Sequence, residues 1–354
     1  MNIAVLMSSD DREETLIGNF LFQCFAHAAA QFPAHRFFIL SHQDATNFQH
    51  QQSSNFNFIK VRFSSGNALS STLFSLIELP LLINKYKFDV FISNQQAFQI
   101  SKKIKQIAVL QNVKQIPSSR LRKITKHANQ IIVHNEFDRV ASSLVFKHQQ
   151  IENLPFGASE KCFPLAFSAQ EEIKKKRTSG NDYFLLDSSY MADEDFISTL
   201  KAFSIFKKWH RSAMQLVVLI DKKKIQHTQK LLANYAYRDA VVLSAINQNN
   251  FQDELLATAY AVLYFGDHVH QVGKIMHALK MGTPVVIPET PFFRSHFNDC
   301  ASFFTKNKDD IYKNWSLLYK DEFLKNQLRS EGLIKSAASE WNTIAAHFLA
   351  SISA

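Results

Sequence analysis

Glycine is scarce in this chain: 354 residues include 8, where about 25 would be usual at a frequency of roughly 7%. Backbone amides close around a phosphate only where side chains do not crowd them, so phosphate-cradling loops are glycine-rich. This sequence has few places to build one. Cysteine is scarce too. Cys24, Cys162 and Cys300 are far apart and odd in number, which argues against a disulfide framework or a zinc site. No apolar run approaches the roughly 18 residues of a spanning helix, and the longest candidate, 70–84, is cut by Glu78 and Pro80. The opening MNIAVLMSS turns polar early and lacks the basic flank of a signal peptide. These absences lead to the expectation of a soluble cytoplasmic protein.

What is present is an ordinary globular composition, 46% hydrophobic and 20% charged, on a chain long enough for two domains. Buried-strand patterns at 2–7, 36–40, 56–63, 88–93, 106–110 and 130–134 alternate with helical spacing at 15–31, 68–87, 118–128 and 136–147. Pro80 predicts a kink in the second helix, and Asn135 is placed to cap the fourth. The alternation continues beyond the charged run 168–182, which reads as a linker. Strands are expected at 183–186, 215–219, 240–243, 261–265, 284–287 and 301–304, with helices at 194–209, 224–236, 251–258, 271–281 and within 308–335. This rhythm predicts parallel sheets in domains 1–167 and 183–335. The last segment, 336–354, is an amphipathic helix with Trp341, Ile344, Phe348 and Ile352 on one side.

The stretch 259–288, AYAVLYFGDHVHQVGKIMHALKMGTPVVIP, is the most informative. It reads as strand, loop, helix and strand. Gly282 stands at the helix end, where a left-handed backbone is usual, and Pro284 cannot extend the helix. In parallel sheets ligands bind at the carboxyl ends of strands, which puts the loop 266–272 in the expected site.

In its frame this stretch resembles the C-terminal half of a family 4 glycosyltransferase of the GT-B fold. There the chain leaves a strand and runs through E-G-F-G-L-P-x-x-E-A into a G-T-P-V-I turn. Here the first glutamate position falls on Val269 and the second on His277, and Gly273 is the one glycine left between 270 and 274. QIIVHNEFDRVAS resembles the family's strand–Ser-Glu-Phe–helix segment, and IENLPFGASEKCFPL resembles the strand and turn that close its N-terminal domain. The resemblance implies an α/β fold of two Rossmann-like domains with parallel sheets facing across a cleft, and a C-terminal helix returning toward the N-terminal domain. It also implies metal-independent, cofactor-free transfer of a sugar, with retention, from a nucleotide sugar to a glycan or lipid-linked acceptor.

Residue by residue, the resemblance puts the donor against Ser188, Ser189, Asp267, His268, Val269, His270, Gln271, Val272, Gly273 and Lys274. Where the family has a basic pair for the donor diphosphate, this chain has Asp193, Glu194 and Asp195. At an effective dielectric of about 20, each such exchange turns roughly 4 kcal/mol of attraction at 4 Å into repulsion. Lys274 is either a replacement cation or a surface lysine. His277 is either a catalytic or ligand-binding group or a packed helix histidine. On the acceptor side, Gln111 and Asn112 replace the family's His-Asp pair, and Gly18 is an acceptor-facing or a helix-packing glycine. Two functions stay open: a divergent transferase, or an inactive GT-B scaffold that acts as a binding or partner protein.

The net charge of +9 is gathered at 120–127, 174–177, 207–210 and 222–224. These clusters read as solvated faces or as peripheral membrane contacts at the inner face of a membrane. Phenylalanines follow core periodicity rather than lying between the basic residues, and no nucleic-acid motif is present.

Overall fold

The computed structural model describes residues 1–7, 16–42, 53–63, 68–158, 162–189, 191–246, 251–266 and 271–353. The site candidates Asp267, His268, Val269 and His270 lie outside the described residues. The chain divides into two compact units, Met1–Gly157 with Ser339–Ala354, and Ala158–Ala338.

Unit 1 runs β1 (Asn2–Leu6), α1 (Leu16–Gln31), β2 (Arg36–Ser41), β3 (Phe56–Lys60), α2 (Ala68–Leu73), α3 (Leu79–Tyr86), β4 (Val90–Asn94) and β5 (Lys105–Val109). It continues through α4 (Ser118–His127), β6 (Gln130–Val133), α5 (Glu136–Val145) and β7 (Gln150–Asn153), and is completed by α14 (Trp341–Ser353). Its seven strands lie in the order β3-β2-β1-β4-β5-β6-β7, with every registered pair parallel. Both faces are covered, so β1, β4 and β6 are buried along nearly their whole length rather than alternating. Between α2 and α3 the turn Phe74–Glu78 is π-helical, with Leu79 N–H donating to Phe74 O. A wider turn relieves the clash that Pro80 would impose on a regular helix.

The helix α14 lies on α1. Its buried side carries Trp341, Ile344, Phe348 and Ile352; Phe348 meets Phe20 and Phe25 at 6.2 and 6.1 Å between ring centres. Asn342 Oδ1 lies 2.9 Å from His27 Nδ1 and accepts from Gln31 Nε2 at 3.0 Å. The indole of Trp341 sits flat against Gly157, so closely that a Cβ built there would overlap the ring. Glycine is required at 157 by this approach.

Unit 2 contains α6 (Phe167–Thr178), β8 (Tyr183–Asp187), α7 (Asp193–His210), β9 (Gln215–Ile220), α8 (Ile225–Leu232), β10 (Val241–Ala245) and α9 (Phe251–Thr258). It goes on through β11 (Ala261–Tyr264), α10 (Val272–Lys280), β12 (Val285–Pro288), α11 (Pro291–Phe297), β13 (Ala301–Phe304), α12 (Lys308–Lys320) and α13 (Glu322–Ala337). Its sheet is also parallel, in the order β10-β9-β8-β11-β12-β13. The charged stretch 168–182 is helical over most of its length, as α6. Gly282 adopts φ +74° after α10, and Gly282 N and Thr283 N donate to Leu279 O and Ala278 O, closing the helix before Pro284, after which β12 begins at Val285 rather than at 284. The core centres on Trp315, stacked on Phe184 at 4.8 Å.

Replacing Gly157 with alanine is expected to cost about 1–3 kcal/mol, the usual price of overpacking. Trp341→Leu in the same chain should recover part of that loss. Denaturant unfolding of the full chain measures both, and an unchanged midpoint in Gly157→Ala would contradict the packing.

Candidate functional site

Each sheet reverses its strand order beside its first strand, between β1 and β4 in unit 1 and between β8 and β11 in unit 2. Such switch points open a crevice at the carboxyl ends of the strands. In unit 2 that rim begins with Asp187, the last residue of β8, in register with Tyr264 of β11 and Leu219 of β9. Its side chain is 5% exposed, and a carboxylate so buried needs a counter-charge. Lys274, in the first turn of α10, supplies it: Nζ lies 2.7 Å from Asp187 Oδ2 and 2.9 Å from Ser189 Oγ. The other Asp187 oxygen accepts from Ser189 N at 2.9 Å. Ser188 is turned away, donating from Oγ to Leu219 O at 2.6 Å. The rim thus joins Ser189 to Lys274, as the sequence led one to look for, through a carboxylate the sequence did not single out. Tyr264 donates to Lys274 O at 3.1 Å; burial and the nearby Asp187 hold its hydroxyl well above the ordinary range, so it stays neutral.

Two helix N-termini belong to this end of the sheet and differ in charge. α7 has Ala192 as its N-cap with no side-chain bond, and Asp193, Glu194 and Asp195 fill its first turn. These carboxylates offset the positive helix end, and Asp193 is paired with His227 at 2.6 Å. α10 has neither cap bond nor acidic residue in its first turn. At its start Gln271 is fully buried, and among the described residues neither of its amide atoms has a partner. Buried side-chain amides of that kind are rare and mark a place for a polar partner. Next to it, a Cβ added to Gly273 would meet none of the described residues within 4 Å, which leaves the backbone there open to approach from them. Val272 is packed into the core instead. Past β9, next to β8 in the sheet, Lys222, Lys223 and Lys224 form an exposed turn capped by Asp221. Their position at the strand end is set by the fold and was hidden in a sequence where they are one lysine run among several.

His277, also on α10, faces elsewhere. Its Nε2 lies 3.2 Å from both Cys162 Sγ and Asp253 Oδ1. With thiol and carboxylate at the same nitrogen, the three groups are not arranged as a nucleophile–base–acid relay, which needs one partner at each nitrogen. Burial lowers the His277 pKa below its ordinary 6.5, against the opposing pull of Asp253.

In unit 1 the strand ends carry Gln95 and Asn112, both at φ +49°. The other three non-glycine residues with positive φ among the described residues, Lys87, Ser179 and Arg211, all terminate helices. Left-handed residues after strands are less common and cluster at functional sites. Gln95 Nε2 donates to Gln111 O at 3.2 Å. Asp138, 1% exposed, accepts from Asn112 N at 3.0 Å, Val113 N at 2.9 Å and Asn135 Nδ2 at 2.9 Å. The turn bearing Gln111 and Asn112 is therefore fixed by a buried carboxylate. Gly18 is buried in the first turn of α1. Among the described residues no group of three or more His, Cys, Asp or Glu is placed to hold a metal ion, and no helix is long and apolar enough to cross a membrane.

No protein-family model matches the chain, and no curated protein matches it either. Solved structures do. A glycosyltransferase from Rickettsia africae superposes with a TM-score of 0.75 at 12% identity, over 99% of this chain and 97% of that one. The Anabaena protein HepE in complex with UDP gives 0.72 at 12% identity over 100% of both chains. A protein described as a UDP-N-acetylglucosamine 2-epimerase from Listeria monocytogenes gives 0.66 at 12%, over 99% and 95%. With two Rossmann-like sheets in one chain, this likeness makes the fold GT-B.

The lowered pKa of His277 sets a direction for acid stability. An unfolded chain takes up this proton near 6.5, whereas the folded chain takes it up only at lower pH. The stabilisation is complete above about 6.5 and is lost as pH falls through the folded value. Thermal midpoints measured on acidification should fall less in His277→Gln than in the wild type; equal falls would show that the imidazole is not held neutral.

Proposed function

We propose that the chain is a glycosyltransferase of the family 4 type, moving a sugar with retention from a nucleotide-sugar donor to a glycan or lipid-linked acceptor. The observation that carries the reading is the N-terminus of α10, which among the described residues has no acidic residue in its first turn, an unbonded buried amide at Gln271 and open backbone at Gly273. A diphosphate meets a helix end of this kind favourably, through free N–H groups and the positive dipole. In this reading Lys274 and the turn Lys222–Lys224 supply the cations that the opening of α7 lacks, and Ser188 and Ser189 line the same rim. The segment 267–270 is assigned to the donor on sequence grounds alone. UDP in the Anabaena neighbour supports a uridine diphosphate donor.

Stabilising the departing diphosphate is the chemistry such a rim can perform, because charge builds on the leaving group as the sugar bond breaks. His277, steadied by Asp253, stands where the family motif has its second carboxylate and is assigned to a donor hydroxyl. The acceptor is assigned to unit 1, at Gly18, Gln111 and Asn112, with the strained turns at Gln95 and Asn112 shaping its pocket. The proposed reaction uses no cofactor or metal ion. Its place is the cytoplasm, with peripheral contact to the inner face of a membrane through basic clusters.

A second reading has its own support. Lys274 is already engaged by Asp187 and Ser189, and three carboxylates stand at the start of α7, which favours a scaffold that binds without turnover. Calorimetric titration with uridine and guanosine diphosphate sugars separates the readings. Gly273→Ala should stabilise the fold by about 0.4–1 kcal/mol while weakening the donor, because the new methyl group occupies the line of approach. Lys274→Ala should weaken it by about 1.5–3 kcal/mol, as for a charged hydrogen bond. No binding by the wild type to any of these sugars would overturn the transferase reading. Binding with neither transfer nor hydrolysis would favour the scaffold.

A further inference from the structure

The amino end of the unit 2 sheet, away from the rim of Asp187, holds a cavity of about 190 Å³. It lies where the chain enters β8 and β11, for Asp182 precedes Tyr183 and Tyr260 precedes Ala261. From the sides, α6 contributes Gln170 and Lys174, and the first half of α13 contributes Lys325 and Arg329. The turn at Gly282, which closes α10, is part of the wall. Drug-sized ligands occupy about 300–1,000 Å³, so this space suits a smaller molecule.

Three cations reach the cavity against one carboxylate. Two of them are already paired. Lys174 Nζ lies 2.7 Å from Asp182 Oδ1 and 3.1 Å from Glu171 Oε1, with its side chain 14% exposed. Lys325 Nζ lies 2.9 Å from Glu322 Oε1 and 4.0 Å from the centre of the Tyr260 ring, with its side chain 19% exposed. Arg329 differs: among the described residues it has no hydrogen bond or ion pair. It lies across Gly282, its Nε 3.1 Å from where a Cβ would stand. Any side chain at 282 would press on the guanidinium, so the glycine that ends α10 also makes room for this arginine.

The donors left over decide what the cavity can take. An ammonium has three N–H groups and a guanidinium five. After the pairs above, Lys174 keeps one, Lys325 keeps a second and third, and Arg329 keeps its full fork. A carboxylate offers two oxygens to such a set, whereas a phosphoryl group offers three, and the arginine fork meets two of them at once. Acceptors are left as well. Gln170 Nε2 donates to Leu165 O at 2.8 Å, which leaves its Oε1, and Asp182 is paired through Oδ1, which leaves Oδ2. These suit hydroxyl groups on the ligand. Against an anion stand the ends of α9 at Thr258 and of α10 at Lys280, since helix C-termini are negative. The unpaired Arg329 turns that balance.

We propose that this cavity binds a small phosphate compound, either inorganic phosphate or the phosphate monoester of a polyol. The phosphoryl group meets Arg329, Lys325 and Lys174, and ligand hydroxyls meet Gln170 and Asp182. The site is separate from the donor rim: Asp187 and Tyr264 end β8 and β11, whereas Asp182 and Tyr260 stand before their first residues. It goes beyond the proposed transfer reaction and shares no residue with it.

The test is calorimetric titration of the full chain with sodium phosphate, glucose 6-phosphate and glucose at matched ionic strength. Both phosphates should give saturable heat and glucose none. Arg329→Gln should weaken phosphate binding about ten-fold or more, the loss expected for charged hydrogen bonds. Its ligand-free thermal midpoint should stay near that of the wild type, because the exposed guanidinium has no partner to lose. Tighter binding of glucose 6-phosphate than of phosphate assigns the site to a monoester, and equal binding assigns it to the free ion. No saturable heat from either phosphate overturns the proposal, and so does binding that Arg329→Gln keeps in full. Binding lost in Lys274→Ala but kept in Arg329→Gln would put the phosphate at the donor rim, which overturns it too. A wild type that binds phosphate but no nucleotide sugar would leave this site standing while the transferase reading falls.

Discussion

A carboxylate buried at the end of a strand must be neutralised, and the candidate site of unit 2 is arranged around that requirement. Asp187 closes β8 at 5% exposure. Leaving it unpaired would cost several kcal/mol, far more than an exposed ion pair contributes. Lys274 is therefore drawn down to it from α10, and Ser189 completes the contact. The same bond ties the first turn of α10 to the switch point, where Tyr264, kept neutral by burial and the nearby Asp187, donates to Lys274 O. Where α10 begins is thus set by an electrostatic need of the neighbouring strand.

The two helix ends at this rim divide the work of handling charge. α7 is stabilised by its own acidic first turn, each carboxylate contributing about 0.3–1 kcal/mol against the dipole. That stabilises the helix and removes it as an anion site. α10 has no acidic residue in its first turn, and among the described residues Gln271 is buried and unbonded. Viewed locally, the acidic residues at 193–195 serve a helix rather than merely damage a motif. Unit 1 shows a parallel economy, in which Asp138 fixes the Asn112 turn from below through two backbone N–H groups.

The fold was legible because its signals are local. Apolar strands, helical spacing and the Gly282–Pro284 boundary each act over a few residues, and their alternation forces parallel sheets. A short helix such as α11 left less trace, although Thr290 caps it and Pro291 opens it. The site was less legible because its contacts are chosen by topology. Lys274 could be named as a candidate cation, yet its partner is 87 residues away, and no spacing rule connects the two. For His277, Asp253 and Cys162 come from separate elements. Lysines at 222–224 look like any charged surface until β9 is known to lie beside β8.

The return of α14 has a consequence for how the protein is made. Unit 2 is a single continuous stretch, Ala158–Ala338, whereas unit 1 needs Ser339–Ala354 to cover α1 and to set Trp341 against Gly157. During synthesis the first 157 residues therefore emerge with the outer side of α1 uncovered, exposing Phe20 and Phe25 to the cell. Domains generally complete themselves in the order in which they leave the ribosome; here the later one can close first. The earlier unit waits for a contact more than 300 residues away in sequence, a loop closure that slows folding. Nascent chains stalled before residue 339 should thus be the form most in need of a chaperone.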